Sequence, residues 1–183
     1  MEINKKEIVE KSVGIIMNDG IDALTVNNLA KKLKINELEL IPLFTNNEDI
    51  LLLVFKSFEQ DLKEFIQELS NQTDNKTIEL NTFFKSLYNV FLQKPYYLSI
   101  IFDKRLKNNN NKIKSSILQM RKTIEDYLKN LIEYGKSNNT FKTKTSTRLL
   151  VTKILIEFRL LMKDEQNINE MIQDLELLRK TKE

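Results

Sequence analysis

The chain has no cysteine, no histidine and no tryptophan, and only three glycines and two prolines in 183 residues. Without cysteine there is no disulfide scaffold, no thiolate metal site and no thiol nucleophile. Without histidine the commonest general base and metal ligand are missing, and a Ser-His-Asp triad is impossible. So few Gly and Pro argue against sandwiches and barrels, which spend turn residues about every ten positions. Gly14, Gly20 and Gly135 lie too far apart for a phosphate-cradling loop. The longest apolar run, Ile50 to Phe55, is six residues, against the ~20 that span a bilayer. The opening residues Met1 to Glu7 are polar where a secretory leader is apolar, so a cytoplasmic protein with no membrane partner is expected. No catalytic constellation stands out. The pairs Glu37/Glu39, Glu125/Asp126 and Asp164/Glu165 are adjacent or two apart, and such carboxylates do not face each other on a helix. The chain is therefore read as a non-enzyme, without cofactor or metal.

What is present is a balance of 41% hydrophobic and 30% charged residues, which suits a packed globular chain. The length allows one well-buried core and a small appended module. The formal net charge is +3, unevenly spread: residues 1–50 hold six Lys against nine acids, net −3. The remainder carries +6 (23 basic, 17 acidic). No basic tail is visible.

Apolar residues recur at spacings of three and four nearly throughout, which predicts an all-α chain of about nine helices. Ile8, Val9, Ser12, Val13, Ile15 and Ile16 form the inner face of the first, which Gly20 ends. Thr25 caps a second helix that turns Val26, Leu29, Ala30 and Leu33 inward, and Lys34-Ile35 is a tight connection. Asn36, with Glu39 three residues on, makes a capping box for a short third helix that Pro42 kinks or ends. A long helix from Asn46 or Asn47 carries Leu51, Val54, Phe55, Phe58, Leu62, Phe65, Ile66 and Leu69. Further helices are expected at 78–91, from Pro95, at 113–134 with Gly135 closing it, at 145–163 and at 167–180.

Two short helices joined tightly behind a longer one make a helix-turn-helix unit, whose third element must project to enter a major groove ~12 Å wide. The stretch Ile8 to Ser12, Asp19-Gly20, Leu24-Thr25-Val26-Asn27-Asn28-Leu29-Ala30, Ile35-Asn36, Leu40, Phe44 and Asn47-Glu48-Asp49-Ile50-Leu51-Leu52 resembles the N-terminal domain of tetracycline-repressor-like (TetR/AcrR) transcriptional regulators. The resemblance covers roughly residues 3–55. It implies an N-terminal helix-turn-helix DNA-binding domain, residues 1–45, and a C-terminal regulatory domain, residues 46–183, that holds a ligand pocket and dimerises. The implied function is a ligand-responsive regulator, most often a repressor, acting as a homodimer on double-stranded operator DNA.

On that resemblance the DNA-facing residues are Thr25, Asn27, Lys34, Asn36, Glu37, Glu39, Leu43 and Asn47. The family usually presents hydroxyl, small or basic and tyrosine side chains here, with Lys before the acidic pair. In this sequence Asn36, Glu37, Glu39, Ile41, Leu43 and Asn47 stand in those places. Thr25 keeps its place at a helix N-terminus, where hydroxyl and N–H groups hold phosphate. Phe58, Phe84, Tyr88, Phe91, Phe102 and Tyr127 are candidates to line a pocket for a small apolar or aromatic ligand; at helical spacing they also serve as core. Leu150, Ile154, Phe158, Leu161, Ile168, Met171 and Leu175 form a seam read as the dimer interface, the alternative being packing within the same chain. The acidic third helix leaves a second function open: a TetR-shaped dimer that has lost DNA reading and binds a protein.

Overall fold

A computed structural model of the chain describes residues 4–97, 100 and 110–161, the side chains of 158–161 excepted. Among the described residues there are six α-helices and two 3-10 turns, and no strand. The helices are α1 Lys5–Asp19, α2 Val26–Leu33, α3 Asn47–Gln72, α4 Lys76–Gln93, α5 Asn111–Ser137 and α6 Thr147–Leu161. The 3-10 turns are Ile21–Ala23 and Glu37–Glu39. The helix expected at 167–180 lies outside the described residues, and most of the one expected from Pro95 does too. No described helix is long and apolar enough to cross a membrane.

The chain divides into two compact units, Met1–Leu62 with Pro95–Met120, and Lys63–Lys94 with Arg121–Glu183. In the first unit α1 packs on α2. Ile8, Ile15, Leu29, Leu40, Ile50, Val54, Phe55 and Ile113 are all at most 1% exposed, and burying each contributes about 1.5–3 kcal/mol. Phe58 stacks on Tyr97 with ring centres 3.9 Å apart. In the second unit Phe83 is the hub, with Phe65, Phe84 and Tyr127 ring centres 6.1, 5.1 and 4.8 Å away.

The helix ends explain themselves locally. Asn4 accepts from Lys6 N–H at the start of α1. Gly20 ends α1 with φ 87° and ψ 170°, a conformation that a side chain would strain. Asn75 accepts from Thr77 and Ile78 N–H at the start of α4. Gly135 does not close α5, as its sequence position suggests, because the helix runs on to Ser137. Its role is room. A Cβ on Gly135 would lie 2.1 Å from the Phe141 ring, while Phe141 N–H donates to Gly135 O at 2.8 Å. Tyr134, the last residue of the helix expected at 113–134, is 50% exposed.

A self-capped helix-turn-helix tip

Thr25 caps α2 as its sequence predicts, its Oγ1 accepting from Asn28 N–H at 3.1 Å. The turn after α2 is a Schellman motif. Ile35 N–H reaches back to Ala30 O at 3.1 Å, and Lys34 N–H to Lys31 O at 3.2 Å. Lys34 supplies the left-handed residue itself, at φ 58°, where glycine is the commoner choice.

The third element is shorter than a regular α-helix. Asn36 and Glu39 do form the capping box: Asn36 Oδ1 accepts from Leu38 N–H at 2.9 Å, and Glu39 Oε1 from Asn36 N–H at 3.1 Å. The helix then stops after the single 3-10 turn Glu37–Glu39, followed by a further turn through Leu43. Pro42 has no N–H to offer, and its ring disfavours helical geometry at Ile41. Leu40, fully buried, anchors the segment. Its N–H donates to Glu37 O, and its carbonyl accepts from Leu43 and Phe44 N–H.

The tip brings together four of the residues that the resemblance implies as DNA-facing. Thr25, Asn27, Glu37 and Asn47 line one open cavity of about 560 Å³, together with Ile41 and Glu48 among others. Asn27 Nδ2 donates to Glu37 Oε2 at 2.9 Å. Asn47 Oδ1 accepts from Val26 N–H, the first helical N–H of α2, at 3.1 Å. The side chain that stands where the resemblance expects a lysine stays exposed and occupies the first N–H of α2. Lys34, Asn36, Glu39 and Leu43 do not line this cavity. Two carboxylates and no basic side chain are among its lining residues. Leu38, Ile41 and Leu43 are 69%, 54% and 53% exposed; of these, only Leu43 is among the residues the resemblance implies as DNA-facing.

Asp49 ties the tip to the start of α3. Its Oδ2 accepts from Thr45 N–H at 3.0 Å, and Lys112 Nζ lies 3.3 Å from Oδ1. Burial works against its charge, but Thr45 N–H, Lys112 and the backbone at Asn46 outweigh it, so the carboxyl titrates below its ordinary value. A depressed folded-state pKa gives stability that is complete above the unfolded pKa and lost as pH falls through the folded one. Asp49→Asn should therefore lower stability at neutral pH and flatten the acid limb of a stability-against-pH curve. An unchanged acid limb would show that Asp49 contributes nothing.

The other sequence candidates lie elsewhere. Phe58 is buried in the first unit; Phe84, Tyr88, Phe91 and Tyr127 are buried in the second. Tyr127 lines a cavity of about 460 Å³. Phe102 lies outside the described residues. Leu150 and Ile154 are buried within the chain, whereas Leu149 and Ile156 on the same helix are each 59% exposed. The Phe158 and Leu161 side chains, and Ile168, Met171 and Leu175 altogether, lie outside the described residues.

No protein-family sequence model matches the chain. No curated protein matches it. Solved structures do. A TetR transcription regulator from Haloarcula marismortui superposes with a TM-score of 0.79 at 13% identity, over 95% of each chain. The fatty acid degradation regulator FadR from Bacillus halodurans gives 0.73 at 20% identity, over 95% of this chain and 93% of that one. FadR from Bacillus subtilis, solved in complex with stearoyl-CoA, gives 0.73 at 18% identity, over 96% and 97%. The chain thus has the all-helical fold of TetR/AcrR-family transcriptional regulators, along nearly its whole length.

Proposed function

We propose that the chain is a DNA-binding transcriptional regulator, a ligand-responsive repressor that works as a homodimer in the cytoplasm, with residues 1–45 as its reading head. The observation that carries this is the tip itself. A capped α2, a Schellman turn and a buried Leu40 hold an exposed third element in the arrangement of a groove reader, within a fold otherwise found in regulators. Fold alone does not fix function, so the weight falls on that projecting element. Regulators rather than enzymes among the similar structures support a non-catalytic reading.

The acidic tip holds its Glu37 and Glu39 carboxylates on neutral donors, Asn27 and the Asn36 N–H, which fix their positions without offsetting their charge. It also predicts few phosphate contacts, hence weak salt dependence. The ligand-responsive part is supported by the Bacillus subtilis neighbour solved with an acyl-CoA. A small apolar or aromatic ligand would release DNA by binding better to the state whose two heads do not match adjacent major grooves. For the dimer, α6 offers Leu149 and Ile156, the large exposed apolar groups among its described side chains. A second reading, a protein-interaction module without DNA reading, is favoured by the exposed apolar Leu38, Ile41 and Leu43 on the same tip as Glu37, Glu39 and Glu48.

Titration against the duplex upstream of the protein's own gene, and against a scrambled duplex, separates the two. At low and physiological salt the proposal expects tighter binding to the first, with a shallow slope against salt. No preference at either salt would sink the claim for that site and leave the protein-binding reading.

A further inference from the structure

Glu79 is a carboxylate in the core of the second unit, 1% exposed, one helical turn before Phe83. A buried carboxylate persists only when paired and hydrogen-bonded. Lys76 Nζ lies 2.5 Å from its Oε2. Tyr127 Oη donates to Oε1 at 3.0 Å and Ser70 Oγ donates to the same oxygen at 3.2 Å. Burial, reinforced by the charge and hydrogen bond of Glu79, pushes the Tyr127 phenol far above its ordinary range, so it remains a donor. The Lys76 ammonium also lies 5.0 Å from the centre of the Tyr134 ring. The cavity of about 460 Å³ opens at this cluster, and Ile66 and Leu131 add apolar wall.

A carboxylate and an aromatic face around one opening are what recognises an ammonium group. Here the chain's own ammonium occupies that place. Lys76 is the first residue of α4, and its flexible four-carbon stem can carry the charge out to water. A ligand cation could then take the ion pair and the ring face, while its apolar body displaced water from the cavity. An anionic ligand would meet Glu79. A bare divalent cation wants six or more oxygens, usually from several carboxylates, and the one carboxylate here is already held by Lys76 and two hydroxyls. We propose that this pocket binds a monovalent organic ammonium with an apolar body, and that Lys76 is its built-in competitor. Only residues of the second unit are needed, so binding here is independent of whether the tip reads DNA.

The test is calorimetric titration of the full chain with benzyltrimethylammonium, against benzyl alcohol and phenylacetate as neutral and anionic controls. The cation should bind at least about tenfold tighter than either control. Glu79→Gln should abolish that preference. Lys76→Met, which removes the competitor and leaves the carboxylate, should tighten cation binding by about tenfold. Equal binding of the neutral control overturns the proposal. So does a folded Lys76→Met variant that binds the cation no better than the parent chain; the comparison of cation with neutral and anionic controls on the parent chain decides the matter even if either variant fails to fold.

Discussion

Leu40→Ala should cost about 2–5 kcal/mol of stability, the range for removing a fully buried leucine, and should abolish operator binding. Leu40 is fully buried, and its backbone closes both turns of the third element. Truncation leaves a cavity beneath a segment that has no regular helix to hold it. Leu38, two residues earlier, is 69% exposed. Leu38→Ala should therefore change stability by no more than about 0.5 kcal/mol. If the tip reads DNA, it should still weaken operator binding, because an apolar side chain there can meet thymine methyl groups. Denaturant titrations of both variants, alongside DNA titrations, separate the anchoring residue from the reading one. Equal destabilisation by both would mean that Leu40 does not anchor the turn.

Leu149→Glu combined with Ile156→Glu should convert a dimer to monomers, weakening association by at least about hundredfold. In a two-fold interface each substitution occurs twice, and burying an unpaired carboxylate is costly. Leu150→Ala should act differently. Leu150 is 5% exposed within its own chain, so its truncation should lower the stability of the subunit by about 2–5 kcal/mol. Sedimentation velocity across a dilution series reads the first effect and thermal or chemical unfolding reads the second. A dimer that survives both glutamates would place the interface away from this face of α6.

Much of the local structure was legible because it depends on neighbours in sequence. The Thr25 cap, the Asn36–Glu39 capping box, the stop at Gly20 and the stripe of α3 all follow from side-chain types at fixed offsets. Pro42 likewise announces the end of the third element, though not how soon it comes. Glu79 left a trace as well. It stands four residues before Phe83 and eight before Leu87, on the buried stripe of α4, where a carboxylate needs partners. Lys76, three residues earlier, is a visible partner; Tyr127, 48 residues later, is not.

By itself the sequence determined an all-helical chain and the caps and breaks of its first elements. These are set by hydrophobic period and by hydrogen bonds that close within a few residues. Only the tertiary structure decided where polar side chains spend their hydrogen bonds across long separations. Asn47 turns back to Val26, Glu37 to Asn27, and Tyr127 and Ser70 to Glu79. It also decided which apolar side chains of α6 the chain itself buries and which it leaves exposed, among the described residues. Those outcomes depend on which groups are desolvated together, a property of the packed chain that no periodicity in one strand of sequence encodes.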